Sequence, residues 1–232
     1  METNPTPLPT LANRLAALRQ AVAAANLLHS PGKPPVTLVG ASKTQPAAVL
    51  AEAIALGLRH FGENKVQEAQ AKWPALKAAH PEVVLHLIGP LQSNKAGEAV
   101  ALFDVIETVD RPKIATALAN AVANHPSPAA RRFYIQVNTG EEPQKAGVLP
   151  RDLEKLVALC RTLETEHWRL DGLMCIPPAH ENPAPHFALL DKLASRYGLS
   201  ARSMGMSDDF AAAIRLGATH VRIGTRLFGE RR

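Results

Sequence analysis

The sequence predicts a single-domain, TIM-type parallel (β/α)8 barrel with an extra N-terminal helix, and three observations support this fold class. Eight short apolar segments alternate with helical segments along the chain, as strand and helix units do in α/β proteins. The connections between these segments are short, as they are in closed barrels. The 232 residues, 46% of them hydrophobic, are enough for one large core. We assign one domain at 1–232, with the helix and linker at 1–35 and the barrel at 36–228.

Each predicted element follows from a local pattern. The first helix, 11–28, has apolar residues at a spacing of three to four, which places them on one face. The strands are short apolar runs that end at glycine, proline or polar residues; they are 36–41, 58–62, 83–88, 103–108, 133–138, 170–176, 199–204 and 219–223. The helices between them begin at proline, serine or acidic residues; they are 46–57, 63–77, 96–102, 112–124, 152–166, 186–197 and 207–217. Ser207 is the predicted N-cap of the last helix.

The composition argues against several classes of protein. The formal net charge is +5, but the 26 basic and 21 acidic residues are scattered, so we expect no nucleic-acid partner. Cys160 and Cys175 form no CxxC pair, which argues against a disulfide framework and a zinc site. Residues 1–5 lack the basic start of a leader, and no uncharged apolar run approaches the roughly 18 residues of a membrane span. We therefore expect a cytoplasmic protein with no membrane partner.

The first predicted strand ends at a lysine. Residues 36–41 indicate a fully buried strand that places Lys43 just beyond its C-terminal end, where barrels carry their functional residues. An amine that is desolvated at such a place becomes neutral near pH 7 and can attack a carbonyl group to form a Schiff base. Polar residues also follow other strands, among them Asn64, the segment 92–95 and Asn138. The alternative for Lys43 is a side chain that extends past the strand end into water.

Two loops near the end of the sequence predict a phosphate site. Gly205 and Ser207 follow the seventh strand, and Gly224 and Thr225 follow the eighth. Backbone N–H groups at a helix N-terminus attract an anion, glycine allows the main chain to approach it, and a hydroxyl can donate to a phosphate oxygen. Barrels often bind phosphate at this place. The alternative, in which Ser207 only caps its own helix, uses the same atoms and stays open.

A reactive lysine and a phosphate site on one face of a barrel fit pyridoxal 5'-phosphate (PLP). The aldehyde of PLP can react with Lys43 while the phosphate is held at the other end of the molecule. Arg222, two residues before Gly224, can point at the pyridine nitrogen, whose protonation a permanent cation disfavours. Ile223 must then face the opposite way. In the alternative, Arg222 is one half of a buried ion pair.

Five motifs resemble those of the pyridoxal phosphate homeostasis protein family, and they run in the order of that family from about residue 36 to 228, so the resemblance extends over nearly the whole sequence. They are ASKT at 41–44, FGENKVQE at 61–68, IGPLQSNK at 88–95, SMGMS at 203–207 and VRIGTRLFG at 221–229. The resemblance implies a single-domain relative of the alanine racemase barrel that binds PLP without a firmly assigned reaction. It also implies cofactor contacts for six residues: Lys43, which carries PLP; Asn64, beside it; Arg222, at the ring nitrogen; and Ser207, Gly224 and Thr225, at the phosphate.

The chain departs from the family pattern at several positions. The family usually has tyrosine where Lys65 stands, and aromatic residues where Leu85 and Leu87 stand. Lys145 matches a loop lysine of the family, and we treat it as a second acceptor for the aldehyde. Lys65 adds a further amine near the mouth of the barrel. The alternative for Lys145 and Lys95 is ordinary solvated loop charge.

Two classes of function fit these residues. In the first, the protein is a non-catalytic carrier in intracellular PLP homeostasis, which holds PLP as a Schiff base on Lys43 and supplies it to apo forms of PLP-dependent enzymes. In the second, it is a PLP-dependent amino-acid racemase or related enzyme, which needs acid and base groups on both faces of the substrate. Lys43 can act as the acid or base on one face of the substrate. The barrel uses the whole sequence, so we expect no second domain to supply a group for the other face. We therefore favour the carrier, and we expect a monomer.

Overall fold

The strands close into a barrel in the computed structural model of the protein, which describes residues 9–29, 34–125 and 131–229. All neighbouring strands are parallel, their order follows the chain, and β8 pairs with β1. The strands are β1 (Thr37–Ala41), β2 (His60–Glu63), β3 (Val84–Leu87), β4 (Val105–Val109), β5 (Arg131–Val137), β6 (Trp168–Cys175), β7 (Ala201–Ser203) and β8 (His220–Ile223). The predicted fold class is therefore confirmed.

Helices connect the strands and surround the barrel. They are α1 (Leu11–His29), α2 (Ala47–Ala55), α3 (Val66–Ala79), α4 (Ala96–Leu102), α5 (Pro112–Asn124), α6 (Leu153–Thr162), α7 (Pro183–Arg196), α8 (Phe210–Arg215) and α9 (Thr225–Phe228). Short 3-10 helices, Ser93–Lys95 and Pro150–Asp152, precede α4 and α6. The predicted N-terminal helix is present as α1. Its apolar face is buried, and it contacts α8 and α9.

The register of the strands sorts side chains between the inside and the outside of the barrel. Val39 of β1 pairs with His60 of β2 and with Arg222 of β8, so these three residues share one face. That face is the inner one, because Arg222 reaches across to the carbonyl of Cys175 on β6. Outward residues pack against the helices instead. Leucine, isoleucine and phenylalanine side chains of the strands and apolar side chains of the helices form this outer core together.

Three predicted helix starts are wrong. Glu63 does not begin a helix; it is the last residue of β2, and α3 begins at Val66. Ser207 is not an N-cap, because α8 begins at Phe210 and Asp209 occupies its N-cap position. The Asp209 carboxylate instead accepts a hydrogen bond from the Met206 N–H, which closes a turn before the helix. The acidic Glu63 predicted the first start and the hydroxyl of Ser207 the second, but Glu63 is buried and Ser207 lies in a turn.

The third start, at His186, is three residues late. The α7 helix begins at Pro183, and the Asn182 side chain caps it by accepting a hydrogen bond from the Ala184 N–H.

Parts of the sequence interpretation lie outside the described residues. These are the first residues, 1–8, most of the linker (30–33), and the turn after α5 (126–128). Within the described ranges, no helix is both long enough and apolar enough to cross a membrane.

Candidate functional site at the C-terminal mouth of the barrel

Lys43 lies at the C-terminal mouth of the barrel. Every second residue of β1 points into the barrel, and Val39 and Ala41 are two of these. Lys43 is the next residue in the same alternation, so it lies on the inner face. The turn after β8 lies beside it, because a Cβ placed on Gly224 would be 3.6 Å from the Cβ of Ala41. Lys43 is half-buried, and its amine forms no hydrogen bond or ion pair with another described residue. It is therefore available for a ligand.

The other candidate lysines differ from Lys43 in their surroundings. Lys95 Nζ lies 2.8 Å from a carboxylate oxygen of Glu98. Lys145 Nζ lies 2.6 Å from Glu142 Oε2 and donates to a backbone carbonyl as well. Lys65 is exposed at the start of α3. Two of these three amines are thus held by ion pairs on the surface loops.

A buried ion pair between β2 and α3 holds the backbone that precedes Lys43. Glu63 is fully buried, and its Oε1 accepts hydrogen bonds from Ser42 Oγ at 2.6 Å and Trp73 Nε1 at 2.9 Å. Lys72 Nζ lies 2.9 Å from the same oxygen and donates to the Ser42 carbonyl at 3.0 Å. Ser42 is therefore fixed through both its side chain and its main chain.

The residue after Lys43 has a strained backbone. Thr44 has a φ of 64°, a left-handed conformation that costs a residue with a Cβ roughly 1–2 kcal/mol. The Thr44 N–H donates to Glu68 Oε1, and Lys72 Nζ donates to the same carboxylate at 3.0 Å. Glu68 and Lys72 thus hold the turn in which the chain leaves β1. Strain of this kind concentrates at functional positions.

The loops after β7 and β8 lie side by side. The Arg222 N–H donates to the Gly205 carbonyl at 2.9 Å, and Arg226 Nη1 donates to the Ser207 carbonyl at 3.1 Å. Gly205 has a φ of +92°, and a Cβ there would lie 2.5 Å from the Cβ of Ala213. A side chain at this position would therefore clash with α8.

Unpaired backbone donors converge on these two loops. The N–H groups of Ser207, Gly224 and Thr225 donate to no other described residue. The Ser207 side chain is half-buried and the Thr225 side chain is exposed, so both hydroxyls can reach a ligand. Unpaired N–H groups beside hydroxyls are typical of sites that hold phosphate oxygens. The residue types predicted for a phosphate site are thus present at these loops, with Ser207 in a turn, and their contact with phosphate stays a prediction.

Arg222 is almost fully buried inside the barrel. Nη1 donates to Ser203 Oγ at 2.6 Å, and Nη2 donates to the Cys175 carbonyl at 2.8 Å. Nη1 also lies 3.9 Å from Glu107 Oε2. The ion pair that was the alternative for Arg222 is thus present, and the Nε–H still donates to no described residue. Ile223 packs in the outer core, as the alternation of β8 requires.

Glu107 of β4 lies at the centre of this inner network. It is fully buried, and its Oε1 accepts a hydrogen bond from His86 Nδ1 at 2.7 Å, while Oε2 accepts one from Ser203 Oγ at 2.5 Å. Burial alone would raise the pKa of Glu107, but His86, Arg222 and Ser203 together lower it to about 2. Glu107 is therefore a carboxylate at any physiological pH.

Histidines continue the inner network towards the N-terminal ends of the strands. His60 Nδ1 lies 3.0 Å from His86 Nε2, and the ring of His220 is 6.0 Å from that of His86. Burial, with a further contribution from His86, lowers the pKa of His60 to about 4 and that of His220 to about 3. Both rings are neutral at pH 7. Tyr134 packs against His220, and burial raises the pKa of its hydroxyl.

The structure brings most of the predicted site residues to one mouth. Lys43, Gly224, Thr225 and Ser207 lie at the C-terminal ends of their strands, and Arg222 lies just below them. Asn64 follows β2 at the same end, where the close approach of Gly89 to its backbone leaves no room for a Cβ on that glycine. A cavity of about 610 Å³, lined by residues such as Arg132, Tyr134 and Arg202, opens instead near the N-terminal ends of the strands. It belongs to the opposite face of the barrel.

Sequence reasoning missed Glu107, Lys72 and Arg226. Glu107 is the only acidic residue within the apolar strand 103–108 besides the boundary residue Asp104. A carboxylate that is buried in a strand needs hydrogen-bond or charge partners. The sequence alone could therefore have indicated that Glu107 belongs to a polar network inside the barrel. Nothing local to Lys72 distinguishes it from other lysines on helix surfaces.

Comparisons with known proteins agree with this arrangement. Residues 14–232 match the family model described as alanine racemase, N-terminal domain. The pyridoxal phosphate homeostasis protein of Pseudomonas aeruginosa is 43% identical over 228 residues, which are 95% of this chain and 94% of that protein. The pyridoxal phosphate homeostasis protein of Escherichia coli (strain K12) is 39% identical over 235 residues, with coverage of 95% and 97%.

Solved structures share the fold. PipY of Synechococcus elongatus PCC7942, determined with PLP bound, superimposes with a TM-score of 0.80 at 37% identity, over 95% of this chain and all of PipY. Alanine racemase of Clostridium difficile 630 superimposes with a TM-score of 0.67 at 14% identity, over 94% of this chain and 57% of the racemase. At that identity the second likeness shows the fold alone. The family model and the relatives together confirm the resemblance carried by the five motifs, and the chain belongs to the pyridoxal phosphate homeostasis protein family, whose barrel is that of the alanine racemase N-terminal domain.

Proposed function

We propose that this protein binds PLP at the C-terminal mouth of its barrel and serves intracellular PLP homeostasis. The observation that carries the proposal is a half-buried lysine amine without a protein partner, at the same mouth as two adjoining turns with unpaired N–H groups. A small molecule with an aldehyde at one end and a phosphate at the other uses both features. The names of the relatives and the PLP bound to PipY support this choice of ligand.

The donor set at the mouth fits PLP group by group. When bound, PLP supplies an aldehyde that condenses with a lysine amine, and Lys43 is the amine in position to receive it. Ser207, Gly224 and Thr225 offer hydroxyl and N–H donors for the phosphate. The remaining Nε–H of Arg222 can donate to an unprotonated pyridine nitrogen.

Asn64 completes the proposed set of contacts at the mouth. It follows β2, the strand next to β1, and its side chain is half-buried on the side of the mouth where Lys43 lies. An amide there can donate to the oxygen substituent of the pyridine ring. Lys65, Lys95 and Lys145 are secondary acceptors at most in this proposal, since the last two amines are already held by carboxylates.

The proposed role is that of a carrier. A permanent cation at the ring nitrogen disfavours its protonation and so weakens the ring as an electron sink, which suits storage better than catalysis. We infer that the protein acts in the cytoplasm as a single-domain monomer and supplies PLP to apo forms of PLP-dependent enzymes. The alternative is a PLP-dependent amino-acid racemase or related enzyme.

Borohydride reduction followed by peptide mapping tests the site. The holo-protein should lose its visible absorbance on reduction. Peptide mapping should then find the reduced PLP group attached to Lys43. Lys43→Ala should abolish the visible band, whereas Lys95→Ala, at a lysine held by Glu98, should leave it unchanged. A label found mainly on Lys65, Lys95 or Lys145 in the wild type would overturn the assignment of Lys43.

A second measurement separates the carrier from the racemase. The holo-protein should reactivate an apo-enzyme that requires PLP faster than PLP is released into a trapping amine, and it should not exchange the α-proton of alanine or serine with deuterated water. Rapid exchange that depends on Lys43 would favour the racemase. Reactivation no faster than spontaneous release would reduce the role to passive storage.

A further inference from the structure

The inner network places a carboxylate directly behind the arginine of the proposed site. Glu107 is fully buried, and each of its oxygens has a defined partner: His86 Nδ1 at 2.7 Å for Oε1 and Ser203 Oγ at 2.5 Å for Oε2. Ser203 Oγ also accepts the hydrogen bond from Arg222 Nη1 at 2.6 Å. Because a hydroxyl has one proton, its donation to Glu107 leaves its lone pairs to receive the arginine.

This chain of hydrogen bonds fixes the guanidinium in one orientation. Nη1 is held by Ser203 on β7 and Nη2 by the Cys175 carbonyl on β6 at 2.8 Å, so the plane of the group is determined by the two strands that precede β8 in the barrel. Nε is then the one nitrogen of the guanidinium whose N–H has no described partner, and it is available to a ligand. The negative charge of Glu107, 3.9 Å from Nη1, also balances the positive charge of Arg222 in a place from which water is excluded.

We propose that Glu107 is a positioning residue for the PLP ring: acting through Ser203, it holds Arg222 with its Nε–H aimed at the pyridine nitrogen. The inference rests on the proposed function, which assigns Arg222 to that nitrogen, and it extends the site to a residue that does not touch the ligand. Without the carboxylate, the Ser203 hydroxyl is free to rotate and the guanidinium keeps an uncompensated charge, which favours a shift towards water.

No other described carboxylate lies within ion-pair distance of Arg222. His86 approaches from β3, Ser203 from β7 and Arg222 from β8, while His60, His220 and Tyr134 lie beyond His86. Arg222 is the permanent cation of this set. A glutamine at position 107 would keep the shape of the side chain, but it would replace one acceptor oxygen with an amide donor and would remove the charge that pairs with Arg222.

The test compares two ligands that differ only at the ring nitrogen. One is PLP, and the other is its analogue with carbon in place of that nitrogen; both carry the aldehyde and the phosphate. The wild type should bind PLP more tightly, and Glu107→Gln should reduce the ratio of the two affinities by about tenfold, the usual effect of one lost hydrogen bond to a charged group. Ile106→Val changes a buried residue of β4 that packs in the outer core and should leave the ratio unchanged.

The outcomes distinguish this inference from the function on which it rests. If Glu107→Gln weakens the binding of both ligands equally, the positioning role is overturned and Glu107 has a purely structural role. A wild type that binds both ligands equally would also overturn it, because Arg222 would then make no contact with the nitrogen. Binding of neither ligand would overturn the proposed function and this inference together. If Glu107→Gln does not fold, Ser203→Ala breaks the same connection, and the same loss of ratio is expected.

Discussion

Lowering the pH from 7 to 5 should destabilise the apo-protein by about 4 kcal/mol because the folded barrel keeps two histidines neutral. Burial lowers the pKa of His60 to about 4 and that of His220 to about 3, from 6.5. Below pH 6.5 both histidines become protonated in the unfolded chain but stay neutral in the folded chain. The free energy of unfolding therefore falls as the pH falls from about 6.5 towards the pKa values of the folded state. Each histidine contributes about 1.4 kcal/mol per pH unit in that window, or about 2 kcal/mol between pH 7 and 5.

Urea unfolding at pH 7, 6 and 5 measures this effect, which is large against the 5–15 kcal/mol or so of a typical domain. His220→Gln should lose about half of the pH dependence, because one of the two neutral rings is removed. His180→Gln, in an exposed loop, is the matched control and should behave as the wild type. The reasoning would be refuted if the free energy of unfolding changed by less than about 1 kcal/mol between pH 7 and 5. It would also be refuted if His220→Gln kept the pH dependence of the wild type.

Three further predictions concern the mouth of the barrel. Ser207→Ala with Thr225→Ala should weaken binding of PLP at least tenfold more than binding of pyridoxal, as measured by equilibrium titration, since each lost charge-assisted hydrogen bond is worth roughly 1.5–3 kcal/mol; equal losses would mean that these hydroxyls do not contact phosphate. Lys72→Met should lower the free energy of unfolding, measured with urea, by about 3–5 kcal/mol, because it leaves the Glu63 carboxylate buried without its cation. Adding Glu63→Gln to this variant should restore part of the lost stability. A loss below about 1 kcal/mol would contradict the buried ion pair. Thr44→Gly should be about 1 kcal/mol more stable than Thr44→Ala, because only glycine adopts a φ of 64° without strain; the opposite order would contradict the left-handed turn.

The fold could be predicted from the sequence because each strand of a parallel barrel is buried on both faces. Runs such as 36–41 and 83–88 are therefore mostly apolar, with Thr37 and His86 as their polar members, and proline or glycine stands at one end of each run. The direction of the strands then places every βα loop at one mouth, which is why Lys43, Ser207 and Thr225 could be grouped without coordinates. The family resemblance added the position of Asn64 beside the cofactor and supported the assignment of Arg222 to the ring nitrogen, which the sequence already suggested.

What could not be predicted depends on contacts between residues far apart in the sequence. Glu63 is typical of a helix start, but its side chain is buried between β2 and α3, where Lys72 and Trp73 pair with it. Ser207 is typical of an N-cap, but the chain makes a further turn closed by Asp209. At Glu63 local propensity competes with tertiary contacts, and these determine the backbone. At Ser207 it competes with a local turn, in which the Met206 N–H donates to Asp209.

The pairing of charges inside the protein explains why the mouth suits an anionic ligand. Glu107 balances Arg222 inside the barrel, and Glu63 balances Lys72 behind the loop of Lys43, so each buried cation near the site already has its own carboxylate. The N–H groups of the two adjoining turns have no such partner among the described residues. An arriving phosphate therefore meets unpaired donors without breaking an internal ion pair. Ser203 and the Cys175 carbonyl already hold the arginine behind them without a ligand. A site with partners fixed in advance loses little conformational entropy on binding, which favours capture of a ligand at low concentration.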